Sequence, residues 1–255
     1  MIGWSAEEVI GQPVVDFLHP DDRAPAAEAL ASLFKGGVLP DVVEVRKLHR
    51  DGHYITLGTK ACGVSDPSTG NNIGAVLVSR DITRDKEKIR MLETLATRDA
   101  LTGLPNRTWI NDQIRCMLAQ DKDPAYTAVL FIDLNGFKAV NDSMGHATGD
   151  ALLQQVSERL QRCMRPGDSV ARLGGDEFVV AAKCGHRDAA AAIAQRIIDS
   201  LREPFVINSM DVWIGAAIGI SLARFGTTSA ETLFENADIA MYQAKARRDG
   251  SYQFF

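Results

Sequence analysis

Two apolar runs, Ser169 to Leu173 and Phe178 to Ala182, flank Gly174-Gly175-Asp176-Glu177, and this arrangement reads as a β-hairpin with its glycines at the turn. That hairpin constrains the fold, because helical and strand patterns alternate around it. Helical spacing appears at Ile110, Ile114 and Met117, then at Leu153, Val156, Leu160 and Cys163 within the stretch Asp150 to Met164. It returns at Ile193, Ile197 and Leu201, and at Leu233, Ala237, Met241 and Ala244. Strand-like runs occupy Ala128 to Ile132 and Val212 to Leu222. A hairpin set among helices predicts an α/β (α+β) sandwich with a central mixed or antiparallel sheet flanked by helices.

The first third of the chain has a different pattern. A helical stretch and Gly11-Gln12-Pro13 precede two strand-like runs, Val42 to Leu48 and His53 to Thr59, separated by the turn Arg50-Asp51-Gly52. A polar loop from Ser65 to Asn72 leads into a third run, Ile73 to Ser79. From Thr83 to Arg98 there is no Gly or Pro, while Ile82, Ile89 and Ala96 recur at a spacing of seven with Leu92 between them, which predicts a short connecting helix, either paired in a dimer or simply solvated. At 255 residues the chain is expected to form two unequal domains, residues 1–82 and 99–255, joined by residues 83–98.

Composition removes some classes of function. The 33 acidic residues outnumber the 28 basic ones, so no basic field is available to hold a nucleic acid, although a few lysines and a cation still suffice for a small phosphorylated ligand. Cys62, Cys116, Cys163 and Cys184 lack zinc-ligand spacing and read as reduced thiols. No uncharged run approaches the roughly 18 residues of a membrane span, and the N-terminus lacks a signal-peptide pattern, so a cytoplasmic chain is expected. His19 lies in the polar turn His19-Pro20-Asp21-Asp22, which favours a solvated role over a haem ligand, and no cofactor is assigned to the first third.

The candidate chemistry lies at strand ends. Asp133 directly follows an apolar strand, where a carboxylate hydrates poorly and favours a cation, and Asp176-Glu177 lie where glycines let a ligand approach the backbone. Hard oxygen ligands of this kind suit Mg²⁺ bridged to phosphates, with Mn²⁺ as an alternative. In extended backbone Asp176 and Glu177 face opposite ways, so Asp176 is assigned the cation and proton-accepting roles, with Glu177 in support. The block Asn135 to Asp150 is rich in amide, carboxylate and glycine and reads as a ligand-lined loop and helix entry. Asn141 and Asp150 together offer the amide and carboxylate that would select guanine, Lys138 lies near the phosphates, and His146 is either a further binding residue or a packed histidine.

The string Arg172-Leu173-Gly174-Gly175-Asp176-Glu177-Phe178 resembles the signature of the GGDEF family, the diguanylate cyclases of bacterial signalling. Three further segments agree: Asp99 to Arg107, Asp133 to Asp150, and Asn236-Ala237-Asp238-Ile239-Ala240-Met241-Tyr242-Gln243-Ala244-Lys245. The resemblance spans residues 99–255 and implies a nucleotidyl-cyclase-like palm. It also implies a homodimer that binds one GTP per subunit and joins the two into cyclic di-GMP with release of two pyrophosphates. On this resemblance Asp133, the carbonyl of Leu134 and Asp176 bind Mg²⁺, and Asn141 and Asp150 read guanine. Phe137, Lys138 and Lys245 lie along the phosphates, and Gly174 and Gly175 shape the turn. Arg165-Pro166-Gly167-Asp168, separated from Gly174 by five residues, matches the family's inhibitory Arg-x-x-Asp site for cyclic di-GMP. One departure stands out: where the family continues with Gly-Arg-Asn, this chain has Arg248-Asp249-Gly250, a charge reversal that puts GTP affinity in doubt and that Arg247 or Arg248 would have to offset.

The first third resembles a PAS sensor domain, from Gly3-Trp4-Ser5 through His19-Pro20-Asp21-Asp22-Arg23 to Asp81-Ile82-Thr83, that starts after the family's first two strands. An incomplete sheet of this kind leaves an exposed edge and no closed pocket. The ending Ser251-Tyr252-Gln253-Phe254-Phe255 resembles the point where relatives pass into an EAL phosphodiesterase domain. Two other readings stay open: a non-catalytic module that senses GTP or cyclic di-GMP, and, less favoured by these strings, a mononucleotide cyclase.

Overall fold

The structure, a computed structural model, describes residues 2–35, 40–70, 72–119, 125–224, 226–247 and 251–255. The chain divides into two compact units, Met1–Leu92 and Glu93–Phe255.

In the first unit, α1 (Ala6–Val9) is started by a capping box between Ser5 and Glu8. A 3₁₀ turn, Val14–Phe17, leads to α2 (Pro20–Phe34), whose first turn holds Pro20 and is capped by His19 Nδ1 accepting from the Asp21 N–H. His19 is thus a helix cap. Three antiparallel strands follow, β1 (Val43–Leu48), β2 (Tyr54–Ser65) and β3 (Asn72–Asp81), in the order β1-β2-β3. The hairpin turn expected at Arg50-Asp51-Gly52 joins β1 and β2, and β2 continues past the expected Thr59 to Ser65, while β3 is close to the segment read from sequence.

Among the described residues of this unit, only four apolar side chains are buried: Leu18, Leu33, Ile55 and Leu57. Between α2 and the sheet lies an apolar recess of about 80 Å³ lined by Leu18, Leu30, Val45, Leu57 and Leu77, with the Lys47 side chain at its wall. That is far below the several hundred Å³ of ordinary small-molecule sites. Helix α3 (Thr83–Thr97) buries none of its residues and leaves Ile89, Leu92 and Leu95 exposed.

The second unit comprises α4 (Arg107–Leu118), β4 (Tyr126–Asn135), α5 (Phe137–Met144), α6 (His146–Arg162), β5 (Ser169–Gly174) and β6 (Glu177–Cys184). It continues with α7 (Arg187–Arg202), β7 (Phe205–Ile207), β8 (Met210–Val212), β9 (Gly215–Ala223), α8 (Ala230–Arg247) and β10 (Tyr252–Phe254). Five strands form one mixed sheet in the order β10-β9-β4-β6-β5, antiparallel except for the parallel pair β10 and β9. Helices cover both faces of this sheet, so its central strand β4 is buried on both sides and reads as a continuous apolar run.

Strand parity sorts that run into two cores. Ala128, Leu130, Ile132 and Leu134 face a cluster with residues of α6 and α7, whereas Val129 and Phe131 face residues of α4 and α8. Strand β6 repeats the division, with Phe178, Val180 and Ala182 on the first side and Val179 and Ala181 on the second. At Gly219 the backbone of α8 lies so close to β9 that an added Cβ would collide with the Ala237 carbonyl and the Met241 amide.

Three local features differ from the sequence reading. The block expected as a loop contains α5, and α6 begins at His146, a turn before Asp150. The strand expected over Val212 to Leu222 is interrupted at Trp213-Ile214, and its start belongs to a small β7–β8 hairpin. That hairpin turns at Asn208 (φ 51°) and Ser209 (φ 64°), the left-handed pair that a two-residue turn requires.

Candidate functional site

The parity of β4 determines where its terminal carboxylate goes. Asp133 follows Val129 and Phe131 onto the side of α4 and α8, while Leu134 turns into the opposite core and is 2% exposed, leaving only its backbone for any ligand. The β4–β6 register places Glu177 directly across from Asp133. Directly paired residues on neighbouring strands share a face. Sequence reasoning gave Glu177 a supporting role, yet the pairing makes it the carboxylate next to Asp133, with Asp176 in the turn just before it.

The turn departs from regular hairpin geometry. Gly174 (φ 147°) and Gly175 (φ 52°) both take values that favour glycine, and the register shifts between Arg172 and Gly174. The Leu134 N–H donates to the Asp176 carbonyl at 3.3 Å, which ties the turn to the end of β4. From inside, Arg172 donates through Nε and Nη2 to the Gly175 carbonyl at 3.0 and 2.8 Å, and through Nη1 to Asp99 at 2.9 Å. Asp99 also accepts from the Thr102 N–H and hydroxyl. Burial tends to raise its pKa, but the bonds from Thr102 and Arg172 outweigh that and hold it below the ordinary value. Asp99 and Arg172 stood in the quoted motifs without a role; the structure makes them the brace under the turn.

Charge is concentrated above this brace. Asp133 is 6% exposed, its Oδ2 accepts from Lys245 Nζ at 2.8 Å, and its buried Oδ1 has no hydrogen-bond partner. The bond to Asp133 raises the Lys245 pKa, with further support from Asp176 and Glu177. Glu177 is pushed up chiefly by burial and also by Asp238, Asp133 and Asp176, while Arg107 acts in the opposite direction. Four carboxylates therefore face Lys245 and Arg107, an excess of negative charge, and one buried carboxylate oxygen is still unsatisfied. This donor set fits a hard divalent cation. Sequence reasoning missed Arg107 and Asp238, although both lie inside the quoted strings.

The nucleotide-binding candidates lie on α5 and α6. Gly136, left-handed at φ 88°, turns the chain from β4 into α5, and no side chain caps that helix. Its first N–H groups thus offer an anion site, with exposed Lys138 beside it. Phe137 was expected along the phosphates, but its side chain is packed in the core and only its backbone is free to face a ligand. Asn141 lies against Gly149, where a Cβ would collide with its amide oxygen, and that oxygen is buried without a partner. His146 and Asp150 are exposed and four apart on α6, on one face of the helix.

Arg165 and Asp168 close a turn of their own. The Arg165 N–H donates to Asp168 Oδ2 and the Asp168 N–H to the Arg165 carbonyl, both at 3.0 Å. They line an open groove of about 460 Å³ together with Arg98, Trp109, Gln161 and Met164. The three residues Arg248, Asp249 and Gly250, where the sequence departs from the motif, lie outside the described residues. All four cysteines are free thiols, and among the described residues no helix is long and apolar enough to cross a membrane.

Comparison with known proteins gives the family of each part of the chain. The family described as diguanylate cyclase, GGDEF domain, matches residues 96–251, and the PAS fold matches residues 1–76. The probable diguanylate cyclase DgcE of Escherichia coli is 36% identical over 259 residues, covering 96% of this chain and 22% of DgcE. MucR of Pseudomonas aeruginosa, a bifunctional diguanylate cyclase and cyclic di-GMP phosphodiesterase, is 42% identical over 167 residues, covering 65% of this chain and 24% of MucR. The chain thus spans less than a quarter of either relative. The crystal structure of the GGDEF domain of YfiN (TpbB) from Pseudomonas aeruginosa superposes with a TM-score of 0.58 at 37% identity, covering 60% of this chain and 97% of that domain.

Proposed function

The chain belongs to the GGDEF diguanylate cyclase family, and from that premise we propose that residues 99–255 condense two GTP into cyclic di-GMP, with one GTP held by each subunit of a homodimer. The pairing of Asp133 with Glu177 across β4 and β6, with one Asp133 oxygen unsatisfied, is the observation that carries this reading. Asp133, the Leu134 carbonyl and Glu177 would hold Mg²⁺ or Mn²⁺, with Asp176 at the rim. When bound, the cation neutralises phosphate charge and polarises the α-phosphate.

The chain's own residues do the remaining work. The uncapped start of α5 and Lys138 hold phosphate oxygens, and Asn141 with Asp150 takes the guanine edge. Lys245, donating to Asp133 Oδ2, holds its ammonium within reach of the phosphates. A ribose 3′ oxygen of one GTP attacks the α-phosphorus of the other, and Asp176 accepts the hydroxyl proton. The bond to the β-phosphate breaks, pyrophosphate leaves, and the same step with roles exchanged closes the ring. The two nucleotides come from two copies of the site, and the exposed Ile89, Leu92 and Leu95 of α3 support pairing of two chains.

Incubation with GTP and Mg²⁺, with products identified by mass, tests the reading: wild type yields cyclic di-GMP and Asp176→Ala does not. GTP bound but unconverted by a folded dimer would instead favour a sensing module. Product inhibition at the groove of Arg165 and Asp168 is a further part of the proposal. Arg165→Ala should weaken cyclic di-GMP binding in calorimetry; unchanged binding returns both residues to a turn.

A further inference from the structure

The turn between β1 and β2 carries His49-Arg50-Asp51-Gly52-His53. The His49 N–H donates to the His53 carbonyl at 2.7 Å and the Gly52 N–H to the His49 carbonyl at 2.9 Å, which closes the hairpin with the two histidines opposite one another. Opposed residues share a face, and the two imidazoles stack with centroids 4.5 Å apart. Asp51 folds back over them, its backbone N–H donating to His49 Nδ1 at 3.2 Å and its Oδ2 3.3 Å from the same nitrogen. Donor atoms of all three side chains lie within 4.8 Å of one another, the one such group of three among the described residues.

We propose that His49, Asp51 and His53 form a binding site for a divalent transition-metal ion of the zinc class. Two imidazoles and one carboxylate are the donor set that such ions prefer, with a fourth position left for water. Donor atoms around zinc stand about 3.4 Å apart, as bond lengths of about 2.1 Å require, so binding would draw the exposed Asp51 and His53 inward, unstack the two rings and replace the Asp51 N–H on His49 Nδ1 by the ion. His49 is already braced, since the Gly3 backbone packs against its ring so closely that a Cβ there would lie 3.1 Å from Nε2. The one cation within the turn, Arg50, is drawn to Glu8 at 2.8 Å and its charge is offset there. Three residues beyond His53, the Thr56 N–H donates to the Thr83 hydroxyl at the start of α3 and the Thr56 carbonyl accepts from Ile82. An ion at the turn would therefore stiffen a strand that holds the first turn of α3.

The test is calorimetry of the metal-stripped full chain with Zn²⁺, in excess Mg²⁺ to occupy the carboxylate site and with reductant present, alongside imidazole NMR. One ion should bind saturably, His49 and His53 signals should shift together while His19 does not, and His53→Ala should weaken binding at least about tenfold. Because His49 packs against Gly3, the exposed positions His53→Ala and Asp51→Asn, checked by circular dichroism, are the variants that decide. Absence of saturable binding, or equal affinity in folded His53→Ala, would overturn the site.

Discussion

The two units are built with very different amounts of core. The first buries Leu18, Leu33, Ile55 and Leu57 and relies on polar joints, such as Arg46 reaching Asp22 through its backbone N–H, Nε and Nη2 at 2.8, 3.1 and 2.6 Å. Every other fully buried apolar residue among those described lies in the second unit, on both faces of one sheet. A two-sided core can hold the strain and excess charge of a site at its edge, because the strands carrying it are packed from above and below. A one-sided sheet with few buried side chains suits a part that responds to what binds it.

The largest test of that contrast separates chemistry from fold. Asp133→Asn removes the carboxylate that Lys245 holds and should lower cyclic di-GMP synthesis by about 10³-fold while leaving thermal stability within error. A variant that loses stability in proportion would show that Asp133 serves the fold. Next, Gly219→Ala drives a methyl into the backbone of α8 and should destabilise the second unit by at least about 3 kcal/mol, read as a shift of its urea transition alone. Equal shifts in both units would erase the distinction between them.

In the first unit, Leu57→Ala should cost about 2 kcal/mol, the low end for buried leucine, because the recess beside it is already partly open. A cost as large as that of Gly219→Ala would indicate a tighter core than four residues imply. The smallest effect concerns acid stability. The lowered pKa of Asp99 contributes stability that is present above its ordinary value of 3.8 and is lost as pH falls through the folded value. Asp99→Asn should thus be less stable than wild type at neutral pH, with the gap closing in acid. A gap independent of pH would assign Asp99 a packing role without charge.

Much of the second unit was readable from local pattern. The stripe Leu153, Val156, Leu160 and Cys163 is buried as its spacing predicts, and the apolar run before Asp133 is the central strand. The loop expected between Asn135 and Asp150 failed for a local reason: Asn, Asp, Ser and Gly are poor helix formers, and α5 exists because Phe137 and Val140 dock into the core. The position of Glu177 opposite Asp133 has a different origin. Which of two adjacent carboxylates meets Asp133 depends on the register between strands more than forty residues apart and on a bulge at Gly174.

The sequence by itself determined where the candidate residues lie, because strand ends, turn glycines and helix stripes are written in short-range periodicity. Only the tertiary structure decided how they meet: Glu177 opposite Asp133, Lys245 on the carboxylate, and Arg172 under the turn. Those juxtapositions follow from strand register and from the packing of α8 on β9, and both are set by long-range burial that no window of neighbouring residues contains.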